Sequence, residues 1–140
     1  MRARPIEGGW IVRLERGEEV LSVLTGFCTD AGVEAGSFTG LGAFQKARLG
    51  YFNMTSKRYQ ERVVEGPFEV LAITGNIARK SDGRLFAHTH CVLGDRQMHA
   101  LGGHLFEAEV GATLEIVLRA FDGRLARRPD PDLGLELLDL

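Results

Sequence analysis

From Trp10 to Arg16 apolar and polar residues alternate: Trp10, Val12 and Leu14 share one face with Arg16, while Ile11, Arg13 and Glu15 share the other. A period of two belongs to a strand, so the segment predicts β structure. Gly17 breaks the pattern, and Glu18-Glu19 open a helix, since acidic side chains favour a helix's first turn. Val20, Leu21, Val23, Leu24, Phe27, Cys28 and Ala31 then recur at helical spacing as a broad apolar stripe, and Gly32 is a natural stop. This is the one long helix that the pattern supports.

The rest of the chain reads as strands: 34–41, 45–53, 57–64, 68–77, 84–93, 99–106 and 113–121, punctuated by Gly40, Gly42, Gly50, Gly66, Gly75, Gly94 and Gly111. Leu114, Ile116 and Leu118 are expected to face a core, with Thr113, Glu115 and Val117 opposite. One helix against a mostly antiparallel sheet is an α+β arrangement, and the Val20–Ala31 stripe is the obvious cover for the sheet's inner face.

Composition narrows the classes. The chain has 140 residues, 44% hydrophobic and 26% charged, which fits one soluble globular domain. A net charge of −2 is unlike a domain built mainly to hold phosphate backbones. No apolar run is long enough for a membrane helix, and no signal peptide follows Arg2 and Arg4, so a cytoplasmic protein without membrane attachment is expected. Cys28 and Cys91 make no disulfide framework. They read as small buried hydrophobes, Cys91 leaving its strand on the face opposite His88 and His90. Residues 1–9 are expected to form a flexible N-terminus, 10–126 the folded domain, and 127–140 an irregular, solvated tail containing Arg127-Arg128.

The chemistry concentrates in His88-Thr89-His90 and Gly102-Gly103-His104, which hold three of the four histidines. On a strand His88 and His90 point to one face about 7 Å apart, and a returning strand would bring in His104. Three neutral imidazoles suit a transition metal, zinc first, with a coordination position left for water or ligand. Phe86 and Val92 share that face and give it an apolar surround. His99 faces His90 if the Gly94-Asp95 turn is tight and leaves the site if it is longer. Proton-transfer partners for a metal-dependent hydrolase acting on a small ester-like substrate would come from Glu69, Glu107, Glu109 or Glu115. The chain has no nucleophile elbow, phosphate loop or dinucleotide fingerprint.

Several motifs in order resemble one family: Gly66-Pro67-Phe68-Glu69-Val70-Leu71, Thr74-Gly75-Asn76-Ile77-Ala78, Asp82-Gly83-Arg84, His88-Thr89-His90, Leu93-Gly94-Asp95 and Gly102-Gly103-His104-Leu105, with Gly17-Glu18-Glu19 and Gly40-Leu41-Gly42-Ala43 upstream. Together they resemble the PPC domain, the plant-and-prokaryote conserved domain, over about residues 10–121. The resemblance implies an antiparallel sheet wrapped around one helix, assembly as a homotrimer, and a metal site at His88, His90 and His104. It also implies a stand-alone prokaryotic member with a regulatory or DNA-associated role, and a small-molecule ligand at the metal as a further partner. Two places depart from the family: Gln97, Met98 and His99 stand where it commonly has a glycine-centred turn, and Pro67 stands where plant members carry arginine. Met1-Arg2-Ala3-Arg4-Pro5 is similar to the AT-hook core of plant members, with alanine in place of its glycine, so any DNA contact from this segment is expected to be weak.

Overall fold

A computed structural model describes residues 1–140. Its elements are β1 (Arg2–Ile6), β2 (Gly9–Glu15), α1 (Val20–Asp30), β3 (Gly36–Asn53), β4 (Arg58–Arg79), β5 (Leu85–Gly94), β6 (Ala100–Ala120), β7 (Arg127–Pro129) and β8 (Glu136–Leu138). All the strand pairs are antiparallel, in the order β1-β2-β6-β3-β4-β5, and β5 also pairs with β6. The pairings β6–β3–β4–β5–β6 therefore close into a ring, with β1 and β2 as a flap on the far end of β6. The α+β, mostly antiparallel expectation holds.

α1 forms where the apolar stripe predicts it. Glu19 caps its N-terminus, its carboxylate accepting from Ser22 N at 2.7 Å and Leu21 N at 3.3 Å. Val20, Leu24 and Cys28 are fully buried, and Leu21, Val23, Phe27 and Ala31 pack at the margin of the same core. On β6, Leu114, Ile116 and Leu118 are fully buried and Glu115 is exposed, as the alternation requires. β5 alternates too: Ala87, Thr89, Cys91 and Leu93 face inward, and Phe86, His88, His90 and Val92 face away from the core. Cys28 and Cys91 are free and buried, and burial pushes both thiols up to about 12.

Two expectations change. The segments 34–41 and 45–53 are one 18-residue strand, 57–64 and 68–77 one 22-residue strand, and 99–106 and 113–121 one 21-residue strand. The glycines read as punctuation lie inside these long strands, or at the end of β5 for Gly94. Most mark close approach of neighbours instead of turns. A Cβ on Gly75 would sit 2.3 Å from the His88 carbonyl oxygen and 2.5 Å from the buried Phe38 ring. Register shifts at Gly40/Gly42, Phe44/Lys46 and Arg48/Leu49 bend the strands, so a few long ones curl around the core. The ends differ as well. Where a flexible 1–9 is expected, Arg2–Ile6 pair with β2 through a Glu7-Gly8 turn. Where a solvated 127–140 is expected, β7 and β8 form a hairpin that rests on the end of β4: Arg79 N donates to Leu125 O at 2.8 Å.

Two glycine substitutions separate these roles. Gly75→Ala is expected to destabilise by about 2 kcal/mol, because backbone and a buried ring must both shift. Gly26→Ala, on the exposed side of α1 with nothing near its would-be Cβ, is expected to stabilise by ~0.5–1 kcal/mol. Urea unfolding midpoints of the two variants check both signs.

Candidate metal centre

β5 and β6 pair over a short stretch in which His90 lies directly opposite His104. Cross-strand partners put their side chains on one face, and His88, two residues from His90, joins them. The three ring centroids form a nearly equilateral triangle, 5.1 Å for His88–His104 and 5.2 Å for the other two pairs. One ligand atom from each lies within 4.8 Å of the others. Two nitrogens on a tetrahedral ion would be about 3.4 Å apart, so small side-chain rotations bring the set to bonding range.

The surround is aromatic on one side. Phe86 stacks beside His88 with centroids at 6.3 Å, Phe106 lies 4.7 Å from His104, and Tyr59 lies 5.1 Å from His104. Gly50 is the cross-strand partner of His104 on its other side, and it has to be bare: a Cβ there would meet Phe106 at 2.4 Å and Tyr59 at 2.9 Å. Those two rings seal His104, which is 8% exposed, whereas His90 opens to solvent.

Burial holds the His88 and His104 imidazoles down at about 4, with charge on Arg127 and on the neighbouring histidines acting the same way. Both rings are therefore neutral near pH 7, the form that coordinates a metal. The Nδ1 of His104 is buried with no hydrogen-bond partner. A buried polar nitrogen without a partner is costly in an apolar setting, and a coordinated cation supplies one. The residues fit a metal on this ground, and His88, His90 and His104 are the ones that would hold it. Bound there, a divalent ion would supply Lewis acidity and an exchangeable position.

The other candidates lie elsewhere. The Asp95–His99 turn is long, its loop closed by Asp95 Oδ1 accepting from Gln97 N and His99 N, and His99 points to solvent beside Asp95. Glu107 pairs with Arg48 at 2.9 Å. Glu69, Glu109 and Glu115 are exposed on other parts of the sheet, and no carboxylate belongs to the histidine cluster.

The residue that pattern reading misses is Arg127. The residue is 6% exposed, and its guanidinium lies over the Phe86 ring at 5.5 Å and donates to Asn76 Oδ1 at 2.6 Å and to Glu136 O at 2.9 Å. Asn76 is the cross-strand partner of His88, which places the guanidinium beside the histidines. No local pattern in 127–140 announces this; only the register between β4 and β5 does.

A model of the Plants and Prokaryotes Conserved domain matches residues 1–122. Among solved structures, a Bacteroides thetaiotaomicron protein described as a "putative DNA-binding protein" matches at 30% identity and TM-score 0.93, over 99% of this chain and 96% of its own. A plant- and prokaryote-conserved protein of Pyrococcus horikoshii matches at 31% and 0.85, over 93% and 90%. A protein of Archaeoglobus fulgidus described as metal-containing matches at 32% and 0.84, over 92% and 91%. No curated protein matches the chain.

The low proton affinity of His88 and His104 predicts an acid transition in the metal-free protein. Both folded-state values lie below the ordinary 6.5. The unfolded chain therefore binds more protons between about pH 6.5 and 4, and stability present above that window is lost as pH falls through it. Urea unfolding in chelator is expected to lose on the order of 2 kcal/mol from pH 7 to 4.5. His104→Phe should flatten that dependence; an unchanged slope would show that the ring is not held neutral.

Proposed function

The chain belongs to the Plants and Prokaryotes Conserved domain family, and from that premise we propose that it is a homotrimeric metal-binding protein with a regulatory, DNA-associated role. In this reading zinc is held by His88, His90 and His104, and a small-molecule ligand takes the position that the imidazoles leave. The observation that carries the reading is the convergence of three imidazoles, one of which, His104, has a buried Nδ1 with no hydrogen-bond partner. The metal-containing description of the Archaeoglobus relative supports it.

Zinc is the first choice because three nitrogen ligands with one open position are common for it, while nickel, copper and iron also accept imidazole. Self-association is supported by apolar side chains left on the surface. Tyr51 and Val63 are 67% and 50% exposed and line a groove of about 430 Å³ with Leu101 and Phe68. The DNA-associated role draws on the descriptions of relatives more than on this chain, whose net charge is −2. Arg2 and Arg4 extend along β1, with Arg2 already 3.3 Å from Glu15, so DNA contact from them is expected to be weak. The hydrolase alternative has less support, because none of its four candidate glutamates joins the histidines. No helix of the chain is long and apolar enough to cross a membrane.

Metal analysis of protein purified without added metal is expected to find about one ion per chain, falling several-fold in His88→Ala and His104→Ala. Content near zero in the parent chain, unchanged by zinc addition, overturns the reading. Light scattering is expected to give about three times the 15.4 kDa chain mass. Fluorescence anisotropy on A·T-rich and G·C-rich duplexes at two salt concentrations tests the DNA role; affinity must fall with salt if phosphates are contacted.

A further inference from the structure

Arg127 lies beyond residues 1–122, the part of the chain that the family model matches, yet its side chain stands next to the histidine cluster. A guanidinium has five N–H donors. Two are used, one to the Asn76 side chain and one to the Glu136 carbonyl, and the Phe86 ring covers one face. Nε is sealed from solvent with no partner. No carboxylate pairs with this buried cation. Glu136, whose charge acts on Arg127 without touching it, turns its carboxylate to Ser81 and to Lys80, whose Nζ lies 3.1 Å away.

A buried positive charge with no carboxylate in contact, helped only by Glu136 at a distance, is costly, and a divalent cation bound by the adjacent histidines would raise that cost. An anion between the two would relieve both. The geometry is suited to one. Asn76 and His88 are cross-strand partners with side chains on the same face, so the guanidinium anchored by Asn76 flanks the imidazoles on the side away from the core. One N–H on each terminal nitrogen stays free, and planar guanidinium donors are suited to meet the oxygens of a carboxylate.

On the reading of His88, His90 and His104 as a metal site, we propose that Arg127 is the anion-holding group of that site and that the ligand is a small carboxylate. The carboxylate lies between metal and guanidinium, and the β7–β8 hairpin contributes to binding by carrying Arg127. The hairpin is then part of the site and not a tail, which explains why it carries so polar a side chain in a buried position.

The test uses the full chain loaded with cobalt(II), whose visible absorption reports changes at the metal. Acetate and succinate are titrated in, with inorganic phosphate as a separate arm. Carboxylates are expected to change the spectrum saturably. Arg127→Gln is expected to weaken that binding by about 10- to 100-fold while cobalt stoichiometry stays at the parent level. Arg127→Lys keeps the charge and loses the planar donors, and should fall between the two; it also serves if the glutamine variant folds poorly. A parent chain that takes up no cobalt overturns the metal reading itself. A loaded chain whose spectrum ignores carboxylates, or whose Arg127 variants bind them as tightly as the parent, overturns this inference alone. Tighter binding of phosphate than of either carboxylate overturns the ligand class.

Discussion

The short pairing between β5 and β6 is the contact on which the rest of the structure depends. Only residues 90–94 and 100–104 take part, with His90 opposite His104 and Gly94 opposite Ala100. Without it β3, β4, β5 and β6 would be an open sheet with two edges, and β5 would present unpaired backbone groups along one side. With it the strands close into a ring and leave one helix to fill the inner face. The same pairing fixes the register that puts two imidazoles side by side. The closure of the fold and the convergence of the histidines are therefore one event, and residues that protect the first protect the second. Gly75 and Gly50 belong to that group: the first lets β5 press against β4 behind His88, and the second lets Tyr59 and Phe106 close over His104.

The electrostatics of the centre follow from its place on the outer face of β5. A cluster inside the core would be dry on every side, and one on an open surface would be wet. Here the cover is assembled from separate parts. Tyr59 and Phe106 seal His104, and Phe86 flanks His88. Their effect is to hold two rings neutral without any hydrogen bond doing so, which leaves nitrogen lone pairs free. His90 stays exposed, so the centre keeps one side accessible from solvent.

Much of this was legible in the chain. The alternation from Trp10, the α1 stripe and the Leu114–Ile116–Leu118 face depend on local periodicity, and each holds. His88 and His90 share a face for the same local reason, and the expectation of a strand returning at Gly102-Gly103 brought in His104, which the resemblance to a known domain then supported. What local pattern cannot carry is contact between distant segments. The glycines looked like turns because a turn is the commonest local use of glycine, whereas their use here is close approach between strands far apart in sequence. Arg127 looked like a solvated charge because nothing near it in sequence is apolar at a regular spacing; it is buried by Phe86 and Asn76, some 41 and 51 residues upstream. The hydrophobic pattern gives elements and faces, and the register gives the site.

The open flank of the centre continues into the apolar outer surface. Gly102 lines both the groove that holds Tyr51, Val63 and Leu101 and the depression that holds His90, Cys91 and Val92. The site's accessible side and an exposed apolar side of the chain thus share an edge. A second copy packed on that surface would cover the groove and narrow the approach to His90, leaving entry from the flank where Arg127 stands. The proposed homotrimer would then do more than bury Tyr51 and Val63. It would decide which direction a ligand comes from, and that direction is the one already lined with an unpaired positive charge.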